Sequence, residues 1–174
     1  ERSRGLGDVY KRQSDNLVIE LIHSKLSLKY LSEAWIKLLF ISSLEKRITK
    51  TKLIFRKENQ YKTEILQSPG QLQSKKILEE YIHIFKNYSD KCLPLPPEST
   101  YKYVEAKMQL KNEKKAFSDR WNGNKSFSKG ERDNSVIQMC FGNKKEGDFF
   151  FGNDEFDDLS FRLYAPLFEA LKNK

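Results

Sequence analysis

The sequence predicts an α/β, helix-rich fold, and three observations carry that prediction. The stretch from Leu26 to Leu44 repeats apolar residues at three- and four-residue steps without a proline or glycine, which is the period of one helix face. Short runs with strand character lie on either side of it. Further helical periods follow at 71–88, 98–115 and 156–171.

In the central stretch Leu28, Leu31, Trp35, Leu38 and Ile41 share a face that Leu39 widens. Lys29, Glu33 and Lys37 form a neighbouring stripe expected to stay wet. So broad an apolar stripe must be buried against other elements. Before it, the run LVIELI at 17–22 holds three β-branched residues and predicts a strand, with Glu20 at an edge or facing solvent. Ser24 or Ser27 is suited to cap the helix, because a hydroxyl there accepts an early amide.

After Leu44, the runs KLIFRK and YKTEIL alternate loosely and predict two strands with basic side chains outward. Pro69-Gly70 ends that region. A second helix is expected over Gln71–Tyr88, with Leu78, Tyr81, Ile82, Phe85 and Tyr88 on its inner face. The segment KCLPLPP at 91–97 is a stiff connector, since its prolines remove donors and restrict the backbone. Glu98, Ser99 and Thr100 open a helix expected to reach about Lys115, with Tyr101, Val104 and Met108 inward; Phe117 and Trp121 extend the apolar pattern to Gly123. Residues 122–133 read as a loop. The type of the apolar element SVIQMCF at 135–141 does not follow from its period. A last helix is expected over Phe156–Leu171, with Leu159, Leu163, Leu167 and Leu171 in line and Pro166 bending or splitting it.

The opening ERSRGLGDVYKRQ has no period and looks like translated adapter sequence, so residues 1–13 are expected to be a non-native leader. The expected domain is then residues 14–174, incomplete at its N-terminus.

Hydrophobic residues at 38% and aromatics at 13% of 174 residues support one domain with a core. A net charge of +8 favours a polyanionic partner, although a lysine-rich composition alone also accounts for it. The charge is uneven. Residues 45–129 hold 19 Lys and Arg against 10 Asp and Glu, whereas residues 131–158 hold 3 against 8. Cys92 and Cys140 lie far apart without metal-ligand spacing; they read as ordinary cytosolic thiols and suggest no disulfide framework. No apolar run is long enough to cross a bilayer, and the start has no secretory signal.

Metal-assisted DNA cleavage needs carboxylates gathered round a divalent ion, with a lysine nearby. Glu20 and Lys25 have the wrong spacing. Glu105-Ala106-Lys107 has the right letters but lies on a helix, which sets its two charges roughly 200° apart. Asp154, Glu155, Asp157 and Asp158 lack the pattern of a calcium loop and suit a helix N-terminus. His23 and His83 have no ligand partners in the sequence, and no phosphate-binding glycine motif occurs. No catalytic, cofactor-binding or metal-binding residue is therefore expected. Basic residues interleaved with aromatics remain as candidate contacts with DNA or a partner: Lys50, Lys52, Arg56, Lys57 and Lys62 as a patch round two strands, and Lys111, Lys114, Lys115, Arg120 and Lys125 near Trp121 and Phe127. A solvated surface is the plain alternative.

Taken in order, KLSLKYLSEAWIKLL at 25–39, CLPLPPESTY at 92–101, AFSDRWNG at 116–123, DDLSF at 157–161 and LYAPL at 163–167 resemble the C-terminal part of RecC, the gamma subunit of exodeoxyribonuclease V. A histidine common in that family after the Trp-Ile pair is replaced here by Lys37, Leu38 and Leu39. The resemblance implies a degenerate restriction-endonuclease-like domain of the PD-(D/E)XK type that lacks the metal-binding acids. It implies a non-catalytic scaffold that guides separated DNA strands and aids Chi recognition in RecBCD, the ATP-dependent helicase and nuclease of double-strand break repair by homologous recombination. ATP and Mg2+ would act on other subunits, and the partners would be RecB, RecD and double-stranded DNA ends. The location would be the bacterial cytoplasm, at the nucleoid during repair. An active metal-dependent nuclease domain and a protein-interaction module without DNA contact are the alternatives.

Overall fold

The computed structural model describes residues 12–14, 16–44, 49–124, 128–142, 147–151 and 154–171. These described residues form two compact units, those up to Glu79 together with residues 169–171, and those from Glu80 to Phe168.

The first unit is a mixed four-stranded sheet with a helix on one face. Its strands β1 (Arg12–Ser14), β2 (Leu17–Ile22), β3 (Lys50–Lys57) and β4 (Gln60–Gln67) lie in chain order across the sheet. β2 and β3 are parallel, while β1–β2 and β3–β4 are antiparallel. The helix α1 (Leu28–Leu44) makes the crossover that a parallel pair requires. Arg12 and Gln13, set aside from the fold by the sequence, pair with Ile19 and Val18 of β2.

The period-two alternation of β2 and β3 assigns the faces. Val18, Glu20, Ile22, Thr51, Leu53 and Phe55 are buried, and Leu66 of β4 joins them. α1 covers this face with Leu31, Ala34, Trp35, Leu38 and Leu39, all buried. Removing a Leu of this kind from water contributes about 2 kcal/mol. The inner face continues into Ser42 and Ser43, and Leu28 and Ile41 are only half-buried. Ile36, Phe40 and Leu44 form an exposed line at four-residue steps.

One expectation fails here. Glu20 is not at an edge or in solvent. It points to the α1 side of the sheet, where its carboxylate stands 3.3 Å from Lys37 Nζ, at ion-pair distance but without hydrogen-bond geometry. Lys37 is therefore engaged with Glu20, and the wet stripe consists of Lys29 and Glu33. Of the two candidate caps, Ser27 directly precedes α1 and its carbonyl accepts from Leu31 N at 3.1 Å, whereas Ser24 donates its hydroxyl to the Lys25 carbonyl.

α2 (Gln71–Asn87) runs from the first unit into the second. At its start Gln71 Nε2 donates to the Ser43 carbonyl at 3.2 Å. Its buried positions are Ser74, Ile77 and Ile84, with Leu78, Tyr81 and Tyr88 half-buried. Ile82 and Phe85, expected inward, are exposed, because the true inner line runs through 77, 81, 84 and 88.

The second unit continues through α3 (Pro97–Met108), α4 (Glu113–Asn122), a short hairpin of β5 (Gly123–Asn124) and β6 (Ser128–Lys129), α5 (Ser135–Phe141) and most of α6 (Asp154–Leu171). The single helix expected from Glu98 to Lys115 is two. Leu110, at φ 57, ends α3 in a Schellman arrangement: Lys111 N donates to Ala106 O at 2.9 Å and Leu110 N to Lys107 O at 3.1 Å. Asn112 then caps α4 by accepting from Lys115 N at 2.9 Å. The apolar element at 135–141 is a helix, capped by Asn134. α6 continues through Pro166.

The core of this unit is aromatic. Phe117 is the centre, with ring centroids 5.1 Å from Phe151, 5.3 Å from Phe150, 5.8 Å from Phe156 and 6.1 Å from Trp121. Each such ring pair adds about 1 kcal/mol beyond the area it buries. Gly130 seals the hairpin against α4. A Cβ there would stand 2.3 Å from the Trp121 carbonyl oxygen, so no larger residue fits.

Candidate nucleic-acid interface

The strand register divides the first group of predicted contacts. Lys50, Lys52 and Arg56 alternate along the face of β3 turned away from α1. Directly opposite them on β4 stand Gln67, Ile65 and Tyr61. Residues directly opposite share a face, so this surface is a basic row beside an apolar and aromatic one, with Ile19, Leu21 and Ile54 completing it. Tyr61 is 72% exposed, its ring free to meet a ligand. Arg56 folds toward the hairpin tip, where its Nε donates to the Glu58 carbonyl at 3.1 Å. Lys57 and Lys62 do not belong to this surface. Lys62 lies opposite Phe55 and Lys57 opposite Gln60, on the sheet face that carries Leu53 and Leu66. The continuous patch of five expected from the sequence is a row of three with two residues on the reverse.

Tyr61 is the residue that sequence reasoning missed. Its signal is one aromatic in an alternating basic strand, and only the register of β4 against β3 sets it beside Arg56.

The second group is also divided. Trp121, expected to stack on bases, is fully buried between Phe117 and Phe150 and reaches no ligand. Its apolar ring is worth more in the core than on the surface. Arg120 is committed within the unit, to the Glu98 carboxylate and, at 3.2 Å, to the Lys129 carbonyl. Lys111, Lys114 and Lys115 are exposed round the start of α4. Lys111 Nζ donates to Gln109 Oε1 at 2.7 Å, and Lys114 Nζ lies 5.6 Å from the Phe151 ring centre. Lys125 and Phe127 lie outside the described residues.

The acidic residues are mostly tied to neighbours. Asp157 accepts from Tyr103 Oη at 2.9 Å and from Lys107 Nζ at 2.8 Å. Partial burial pushes its pKa up, but the bonds from Lys107 and Tyr103 outweigh this and hold it below the usual carboxylate value. Tyr103 is pushed up by its burial and by the Asp157 carboxylate. Glu155 accepts from the Tyr88 hydroxyl and raises it to about 12. Asp158 pairs with Arg162 at 2.8 Å, and Arg162 also bonds Glu80. On the sheet, Glu20 and Glu64 flank Leu53 on one face, two strands apart. Among the described residues no three His, Cys, Asp or Glu gather where a metal ion would sit. Among them too, no helix is long and apolar enough to cross a membrane.

No curated protein matches the sequence. The family described as the RecC C-terminal domain matches residues 3–108. That range starts within the stretch set aside as a leader and takes in β1–β4, α1, α2, the proline connector and α3, ending at Met108. The motifs at 116–123, 157–161 and 163–167 lie beyond it. The matched range is more than half of the chain, holds its sheet and includes two of its quoted motifs; the chain belongs to the RecC C-terminal domain family, whose role is that of a RecBCD subunit in DNA repair and recombination.

Proposed function

We propose that this chain is a non-catalytic, DNA-guiding and scaffold part of RecBCD, and that it meets DNA through the outer face of its sheet. The carrying observation is the row of Lys50, Lys52 and Arg56 facing Ile65 and Tyr61 across the β3–β4 pair. Lys50 and Lys52, two residues apart on the strand, lie about 7 Å from one another, Arg56 follows four residues further along, and each can neutralise a phosphate. An exposed tyrosine beside them offers a stacking surface for an unpaired base, and stacking is tolerant of sequence. Such a surface holds a separated strand without reading it, which is what guiding requires.

The mixed sheet with α1 on one face supports a degenerate restriction-endonuclease-like reading of the fold. In that reading Glu20 is an acid of the former catalytic face, now neutralised by Lys37. Chi recognition, ATP and Mg2+ on other subunits, a cytoplasmic site of action and contacts with RecB and RecD follow from the family resemblance and belong to the same proposal. A second reading, a docking module within RecBCD, is favoured by the exposed line of Ile36, Phe40 and Leu44 on α1.

The test is binding of the purified chain to a forked DNA duplex at two salt concentrations, with and without magnesium. The guiding role predicts binding that weakens with salt, no cleavage, and loss of binding in Lys50→Glu/Lys52→Glu/Arg56→Glu. Magnesium-dependent cleavage overturns the non-catalytic reading. Absence of binding at low salt overturns the DNA contact and leaves the docking module.

A further inference from the structure

We propose that β4 is a self-association edge, through which two copies of this chain pair antiparallel in one register centred on Thr63. β4 ends the strand order, so among the described residues no strand pairs with its far side. It runs from Gln60 to Gln67 without a proline and meets β3 residue for residue, without a bulge. Such an edge carries unpaired amides and carbonyls ready for another strand. The ladder with β3 shows which ones. Ser68 N donates to Thr49 O at 2.7 Å, and the same register pairs Lys57 with Gln60 across the hairpin. Bonding residues alternate along an antiparallel strand, so the even-numbered residues of β4 turn their backbone groups to β3. Tyr61, Thr63 and Ile65 turn theirs to the free edge. Gln60 to Thr63 are all exposed, as is Ile65.

The side chains select a second copy as the occupant. Residues that stand opposite must share a face, so the registers open to β4 differ by whole two-residue steps. With Thr63 opposite Thr63 of the second copy, Tyr61 meets Ile65 of the second copy on the outer face. Lys62 meets Glu64 of the second copy on the reverse face. The twofold axis repeats each pair. Aromatic with β-branched, threonine with threonine, and cation with anion are all favourable cross-strand pairs. The next register on one side sets Glu64 opposite Glu64 of the second copy, and the next on the other sets Lys62 opposite Lys62 of the second copy. Both oppose like charges. The run YKTEI is therefore complementary to itself in a single register. Lys62 would guard the edge against most strands, and here a glutamate answers it. Glu64 is also engaged within its own chain, and a carboxylate accepts more than one donor.

The pairing joins two four-stranded sheets into one. Its outer face then carries Tyr61 and Ile65 of both copies between two basic rows. Each row of Lys50, Lys52 and Arg56 lies within one copy, so self-pairing and DNA contact fail separately.

Sedimentation velocity of the purified chain over a concentration series tests the proposal. The salt is about 0.15 M, where a screening length of about 8 Å weakens the repulsion between copies of charge +8. The expected result is a monomer–dimer equilibrium, the closed outcome of a twofold contact. Glu64→Lys should weaken the dimer roughly tenfold, and Lys62→Glu/Glu64→Lys should restore it. Thr63→Cys in a Cys92→Ser/Cys140→Ser background reads the register even where the Glu64 variant does not fold. Its two copies, with Cα atoms about 5.5 Å apart, should form an intermolecular disulfide on mild oxidation. Ile65→Cys in the same background, about 14 Å from its own copy, should not. A chain that stays monomeric to about 100 μM, a dimer that a folded Glu64→Lys leaves intact, or equal cross-linking at positions 63 and 65 overturns the proposal.

Discussion

Glu131 caps helix α3 from 32 residues further along the chain: its carboxylate accepts the Ser99 amide at 2.6 Å and the Glu98 amide at 2.9 Å. The local chain offers no such cap, because the N-cap position is Pro96 and no side-chain cap bond is made there. A buried negative charge at the positive end of the helix satisfies two orphan donors at once. Glu131→Ala should cost about 2–3 kcal/mol in urea denaturation, since both amides lose a charged acceptor inside the fold. Glu131→Gln, which keeps one carbonyl acceptor, should cost about half of that. Equal losses in the two variants would mean that the charge, and not the bond count, carries the effect.

Leu110 is an exposed residue in the left-handed region, at φ 57 and 96% exposed. A β-carbon there costs about 1 kcal/mol, and no packing offsets it. Leu110→Gly should therefore stabilise the chain, by roughly 0.5–1 kcal/mol in the same assay, while keeping the turn that separates α3 from α4. A loss of stability would show that the Schellman turn draws on a contact of the leucine side chain.

Asp157 makes stability depend on acid. Its folded-state pKa is lower than the ordinary 3.8, because Lys107 and Tyr103 favour the charged form against the opposing effect of burial. The contribution is complete above 3.8 and is lost as pH falls from there through the folded-state value. The carboxylate is nearly half exposed, so the size is on the order of 0.5–1 kcal/mol after solvent screening. Asp157→Asn should lower stability at neutral pH and give a flatter acid limb, the two curves converging as pH falls below the folded-state pKa of Asp157. Parallel curves would remove Asp157 from the acid transition.

The two faces of the sheet separate residues that the sequence grouped together. Lys52→Glu, on the outer face beside Ile65, should weaken binding to a forked duplex several-fold at low salt and reduce the salt slope. Lys62→Glu, opposite Phe55 on the reverse face, should change binding by less than twofold. Fluorescence anisotropy over a salt series measures both. Equal effects would show that net charge, and not the outer face, attracts the DNA.

The limits of the sequence follow from particular residues. Periodicity located α1, β2–β4 and α6, because each rests on several side chains repeating at one spacing. It missed the break at Leu110, where the turn uses a leucine in place of the glycine that would have marked it. It also misjudged the inner face of α2. Ile82 and Phe85 are as apolar as Ile77 and Ile84, and only the packing partners choose between them.

By itself the sequence determined the α/β class, most helix and strand positions, the basic balance and the family. Each of these depends on residue type and spacing along the chain, which are local properties. The tertiary structure alone decided that Glu20 is buried against Lys37, that Trp121 belongs to the core, and that Lys50, Lys52 and Arg56 share a face with Tyr61. Those are relationships set by strand register and helix packing, and no local period encodes them.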